Sequence, residues 1–162
     1  MSSFLRDELQ DLGRSLSARA LRLVTAESCT GGLIAASCTA IPGSSGWFEA
    51  GFVTYSAAAK CLMLGVGEQL ITHYGVVSEP VARAMAEGAL DRTSADIAVS
   101  VTGIAGPDGG DPLLPVGTVW VAWAVRGRPL VDTACHRLGG DRASVREQVV
   151  EVAVQGLLAL IR

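Results

Sequence analysis

The chain has 162 residues, of which 49% are apolar and 18% charged, and a formal net charge of −3. That length suffices for one hydrophobic core, and such apolar richness excludes a disordered chain, which needs low hydrophobicity and high net charge. No long Lys/Arg run supplies the basic face that nucleic-acid phosphates require, and no apolar run reaches the length that spans a bilayer.

In chain order, residues 4–17 set Leu5, Leu9, Leu12 and Leu16 at helical spacing with charges between them, which predicts an amphipathic helix. Leu21 to Thr25 reads as a strand. Thr30 to Ala40, small and apolar, reads as a buried helix that starts near Ser28. Residues 41–46 carry turn chemistry. Ala50 to Tyr55 reads as a second strand, and Ala57 to Leu64 as a helix closed by Gly65. A Gly-containing connection leads to Ser78, an expected N-cap, with Pro80 in the first turn of a helix that runs to about Leu90.

Ile97 to Val101 is a near-continuous apolar run, as in a strand covered on both faces. A Gly-rich loop follows, from Gly103 to Gly110. Thr118 to Val125 is the next strand, with Trp120 and Trp123 on opposite faces. Leu130 to Cys135 reads as a strand beside it. Asp141 is the expected N-cap of a last helix whose buried stripe is Val145, Val149 and Val152. Helices alternate with strands until two strands fall together. This predicts an α/β fold: a three-layer α/β/α sandwich with a mixed, mostly parallel sheet, built as a single domain over residues 1–162.

The four cysteines form no C-x-x-C, and His73 and His136 lie far apart, so no metal site is expected. The N-terminus has no apolar signal-like region, so a cytoplasmic protein with reduced thiols is the expectation. No dissociable cofactor is expected either.

Three Gly- and hydroxyl-rich segments end or follow the strand-like runs: 25–32, 51–60 and 101–110. Open α/β sheets bind ligands at strand ends, which predicts one site made from all three. Ser28, at a strand-to-helix junction, is either a helix cap or a nucleophile beside free backbone N–H groups. Cys29 is a rival nucleophile, or a small buried apolar side chain. Lys60 is the only lysine of the chain, set among small apolar residues. It is either a solvated helical residue or a buried amine of lowered pKa that serves as a base. Tyr55 either handles a proton or packs at a strand end. Arg142, at a helix start, either holds a phosphate or carboxylate or lies on the surface.

The same residues carry a resemblance. Thr25 to Gly32, Gly43 to Phe48, Gly51 to Lys60, Val77 to Pro80, Thr102 to Gly110 and Pro115 to Trp120 resemble, in order and spacing, the CinA C-terminal domain family of nicotinamide-nucleotide amidases. The resemblance implies a metal-independent amidohydrolase that converts nicotinamide mononucleotide and water to nicotinate mononucleotide and ammonia. It implies Ser28 as nucleophile, assisted by Lys60 and Tyr55; the backbone N–H groups near Thr30 and Gly31 are then expected to stabilise the oxyanion. Ser45, Thr102, Gly103 and Arg142 are the further residues expected to hold the nucleotide. The implied partner is a small-molecule nucleotide, with homo-oligomerisation left open and neither nucleic acid nor membrane involved. Longer CinA proteins carry an additional N-terminal domain of the molybdopterin-binding type, whose activity is not expected here. The family pattern Tyr-Ser-Asn reads Tyr55-Ser56-Ala57 in this chain. That departure keeps a second reading open, a non-catalytic nucleotide-binding or regulatory module.

Overall fold

The computed structural model describes residues 1–161. Helix α1 (Ser3–Ala18) leads into strand β1 (Leu23–Glu27) and helix α2 (Leu33–Thr39). A 3-10 turn at Ser44–Gly46 precedes β2 (Phe48–Val53), followed by α3 (Ala57–Leu64), α4 (Glu68–Tyr74) and α5 (Glu79–Asp91). Strands β3 (Ile97–Gly103), β4 (Thr118–Val125) and β5 (Asp132–Arg137) then precede the last helix, α6 (Arg142–Leu160).

The sheet order is β2-β1-β3-β4-β5. The β1–β2 and β1–β3 pairs are parallel; the β3–β4 and β4–β5 pairs are antiparallel. Four strands therefore run one way and β4 runs against them. The carboxyl ends of β1, β2 and β3 meet along one edge.

Alternation along each strand divides the core between the two faces. Ile97, Val99 and Val101 of β3 pack with Leu23, Val121 and the buried leucines of α1, under α1, α2 and α6. Ala98 packs on the other face with Val24, Ala26 and the alanines of α5. Trp123 belongs to the first core and Trp120 packs against the second, so both faces of β4 are covered. The second core is built from small residues, which lets α5 lie close to the sheet. An added Cβ at Gly88 would stand 2.1 Å from the Leu64 carbonyl oxygen, so α5 and α3 touch there without a side chain between them.

Several boundaries differ from the sequence reading. Helix α2 starts at Leu33, because Gly31 and Gly32 adopt positive φ and hold residues 28–32 as a turn. Strands β1 and β5 sit two residues later than expected and β2 two earlier, since the partner strands decide where pairing ends. The connection before Ser78 contains α4. Ser78 does precede α5, but its hydroxyl donates to the Gly75 carbonyl (2.8 Å) instead of capping the helix. Asp141 caps α6 as expected, accepting from the Ser144 N–H at 2.8 Å. Of the expected α6 stripe, Val145 and Val149 are buried, whereas Val152 is only half-buried and the stripe continues through Ala153 and Leu157.

Candidate active site

Period-two alternation places neighbouring residues at the end of β1 on opposite sides of the sheet. The Glu27 side chain goes to α2 and that of Ser28 to α3. Ser28, 8% exposed, accepts a hydrogen bond from the Lys60 Nζ at 2.8 Å. Lys60 sits on the first turn of α3, whose N-terminus is fixed by Ser56, the side chain of which accepts from the Ala59 N–H. It is 1% exposed, and its Nζ also donates to the Thr54 carbonyl at 2.7 Å and the Tyr55 carbonyl at 3.4 Å. Among the described residues no carboxylate pairs with it. Burial lowers its pKa from 10.5 to about 8, with the Cys29 and Cys61 thiols pulling weakly upward.

Cys29 packs with the α1–α2–α6 core and also lines the cavity beside Ser28, and burial pushes its thiol up to about 11. A thiol with that pKa is almost wholly protonated at neutral pH, which removes the thiolate advantage of a cysteine nucleophile.

Ser28 and Lys60 form the floor of a cavity of about 300 Å³. One wall is the end of β3 and the two residues after it, Thr102 to Ala105, and another is Tyr55 and Ala57. Val76 and Val77 line the side before α5, and Gly106, Asp108 and Gly109 with Arg142 form the mouth. The Thr102 hydroxyl donates to the Val76 carbonyl at 2.7 Å, which ties that wall to β3. Gly103 has no room for a side chain, because a Cβ would stand 2.6 Å from Val119 Cγ2 and 2.8 Å from the Thr118 carbonyl oxygen. Arg142 donates to the Gly106 carbonyl (2.7 Å) and to the Tyr55 hydroxyl (2.8 Å).

Of the residues expected from sequence, Ser28, Lys60, Tyr55, Thr102, Gly103 and Arg142 therefore line one cavity. Tyr55 reaches the Ser28–Lys60 pair through its main-chain carbonyl, while its ring is 60% exposed and its hydroxyl faces Arg142. Thr30 is wholly buried, donating its hydroxyl to Glu27 at 2.7 Å, so its side chain does not line the cavity. Gly31 does not line it either, and its N–H donates to the Ser28 carbonyl at 3.0 Å. Ser45 is not brought to this cavity: its 3-10 turn leads into the amino end of β2, whereas the cavity stands beyond the carboxyl ends of the strands.

Sequence reasoning missed Glu27, a wholly buried carboxylate next to Ser28. It also missed Arg146, whose guanidinium donates to the Thr30 carbonyl at 2.7 Å. The signal for Glu27 was present: it directly follows an apolar strand, where a charge needs partners. Ala57, the departure from the family pattern, stands on the cavity wall.

The α/β/α domain thus holds a buried Ser28–Lys60 pair where its parallel strands end. The chain belongs to the CinA C-terminal domain family, whose description matches residues 6–161. It is 52% identical over 149 residues to the nicotinamide-nucleotide amidohydrolase PncC of Escherichia coli K12, covering 91% of this chain and 89% of that protein. Against the protein of that name from Pseudomonas putida the identity is 51%, covering 92% of each. It is also 56% identical to a CinA-like protein of Akkermansia muciniphila, but spans only 34% of that protein's length. The crystal structure of the competence/damage inducible protein CihA from Agrobacterium tumefaciens superposes with a TM-score of 0.97 at 42% identity, covering 100% of this chain and 98% of that one. Among the described residues no helix is long and apolar enough to cross a membrane.

Proposed function

We propose that this chain is an amidohydrolase that converts nicotinamide mononucleotide and water to nicotinate mononucleotide and ammonia. The observation that carries this reading is the buried 2.8 Å contact between Lys60 Nζ and Ser28 Oγ, with no carboxylate paired to Lys60 among the described residues. The matches to two PncC amidohydrolases over nine-tenths of their lengths support the substrate.

A neutral amine has two N–H donors and one lone pair. Around Lys60 the Thr54 and Tyr55 carbonyls suit the two donors, which leaves the lone pair for the Ser28 hydroxyl. Ser28 Oγ attacks the carboxamide carbon as its proton passes to Lys60. The turn holds its own N–H groups partly in use: Ser28 N–H donates to Val101 and Gly31 N–H to Ser28. The N–H groups of Cys29 and Thr30 are the candidates for the developing oxyanion. The C–N bond then breaks, and ammonia leaves with the proton from Lys60. Water attacks the acyl-Ser28 ester and gives one proton to Lys60; the ester C–O bond breaks, Lys60 returns that proton to Ser28 Oγ, and the released acid loses its remaining proton to ammonia or solvent as it departs as the carboxylate.

At the mouth, Arg142 uses one N–H on Gly106 and one on Tyr55, which leaves further donors of its fork for the nucleotide phosphate. Tyr55 supports Lys60 through its carbonyl and closes the mouth with its ring. Val76, Val77 and Ile104 offer apolar contact to the pyridine ring.

The test is ammonia release from nicotinamide mononucleotide by the purified chain. Turnover is expected, Ser28→Ala is expected to abolish it, and Cys29→Ala to leave most of it. Binding of the nucleotide without ammonia release would instead favour a non-catalytic module, and activity in Ser28→Ala with loss in Cys29→Ala would move the nucleophile to the thiol.

A further inference from the structure

The helix that follows the candidate nucleophile lacks a cap of its own. Its N-cap position is Gly32, in the left-handed region at φ 95°, with no side-chain hydrogen bond. The first N–H groups of a helix nevertheless need acceptors. They find them on Glu27, one residue before Ser28 and five before the cap position. Glu27 Oε2 accepts from the Ile34 N–H at 2.9 Å and the Thr30 hydroxyl at 2.7 Å. Oε1 accepts from the Ala35 N–H at 2.8 Å and the Thr25 hydroxyl at 3.2 Å. Each oxygen thus takes one helix N–H and one hydroxyl.

The main chain of the same residue is also held. Its carbonyl accepts from Thr54 N–H at 2.8 Å, and the next N–H, that of Ser28, donates to Val101 at 3.1 Å. Glu27 therefore ties the end of β1 to α2 through its carboxylate and to the segment after β2 through its carbonyl, while the attached Ser28 N–H makes the bond to β3. A carboxylate that belonged only to the core would have been simpler to replace by an apolar residue. Here it closes the 28–32 turn into a ring whose geometry sets where Ser28 Oγ and the Cys29 and Thr30 N–H groups stand.

We propose that Glu27 is a positioning residue for Ser28, acting through the turn without touching substrate. This rests on the reading of Ser28 as nucleophile. Replacement by the isosteric amide isolates the point, because a glutamine side chain must set its NH₂ where one oxygen now stands. On either side that NH₂ faces a helix N–H, donor against donor. The ring then loses its register while size and shape are kept.

The experiment compares wild type with Glu27→Gln and with Thr30→Val, which removes one hydroxyl from the ring and leaves the carboxylate. Two readouts are taken: steady-state ammonia release from nicotinamide mononucleotide, and the rate of covalent labelling of Ser28 by a fluorophosphonate, located by peptide mass spectrometry. Thermal melts and circular dichroism establish that each variant is folded. We expect kcat about ten- to a hundredfold lower in Glu27→Gln with KM changed less than about threefold, and labelling slowed in parallel. Thr30→Val should fall between the two, and decides the question by itself where Glu27→Gln does not fold. A folded Glu27→Gln with wild-type kcat and labelling rate, whatever its melting temperature, overturns the proposal. So does a rise in KM with kcat unchanged. A wild type that is labelled at Ser28 but does not hydrolyse the nucleotide rejects the substrate while slowed labelling in the variants still supports the role of Glu27. A wild type that is never labelled at Ser28 and never turns over rejects both.

Discussion

A lysine withdrawn from solvent holds its proton less tightly, and burial brings Lys60 to about 8. A base must be neutral to act, so kcat/KM is expected to rise about tenfold per pH unit at low pH and to level off above about 8. A pH–rate profile measures this limb, and a flat profile between pH 6 and 9 would remove Lys60 from the base role. Lys60→Arg retains charge but does not deprotonate, so it should be as inactive as Lys60→Met. Ala57 is the second residue at which a single change is informative. It lines the cavity at the start of α3, where the family pattern has Asn. An amide there gains one hydrogen bond to substrate, worth about 1–3 kcal/mol in the transition state, or roughly ten- to a hundredfold in rate. Ala57→Asn is therefore expected to raise kcat/KM for nicotinamide mononucleotide. An unchanged value in an already efficient enzyme would make position 57 a bystander.

Helix α3 owes its placement to α5, and the contact is made at a residue with no side chain. A methyl group at Gly88 would meet the Leu64 carbonyl at 2.1 Å, so Gly88→Ala must push α3 outward, and Lys60 with it. The expected cost is about 1–3 kcal/mol of stability, together with a fall in kcat. Gly156→Ala is the control: its Cβ would meet the Trp123 ring at 2.2 Å on the far side of the sheet. Denaturant melts and kcat read together should separate them, with kcat lost only in the Gly88 variant; equal kcat losses would mean that α3 is not selectively displaced. The elements differ in how readable they were. Helix α3 matched to the residue because Ser56 caps it and Gly65, at φ 71°, closes it. Helix α4 was missed because seven residues with only Leu70 and Ile71 packed on the core make no periodic stripe. The start of α2 was misread because Ser28 and Thr30 look like N-caps, while the capping oxygens belong to Glu27 across the turn. The three segments that build the cavity were legible as small-residue strand ends. What joins them was not, because Arg142 and Arg146 reach across 116 and fewer positions of sequence to bond main-chain carbonyls, which leave no mark in composition.

At the scale of the whole molecule, the buried amine couples folding to pH. With a pKa of about 8 when folded and 10.5 when unfolded, Lys60 carries a proton in the unfolded chain throughout that window but not in the folded one. Unfolding then takes up a proton, so the Lys60 contribution to stability rises as the pH climbs from about 8 to 10.5 and is constant outside it. The buried thiols of Cys29 and Cys38, pushed up to about 11 and 12, act in the opposite direction above pH 9, so the difference between wild type and Lys60→Met is the quantity to follow. That difference should shift in favour of wild type by about 3 kcal/mol across the window; chemical denaturation at several pH values measures it, and no shift would mean that Lys60 is not buried as an amine. Helix α6 has another consequence. Its two arginines, one turn apart, pin the turn after β1 and the loop after β3, and its apolar face covers the leucines of α1. During synthesis, Ser28 and Lys60 emerge from the ribosome long before either arginine exists, and the α1 leucines wait uncovered for the same helix. The nascent chain thus holds Ser28 and Lys60 unpinned until residue 146 has been made, and a folding intermediate without α6 is expected to release no ammonia from the nucleotide.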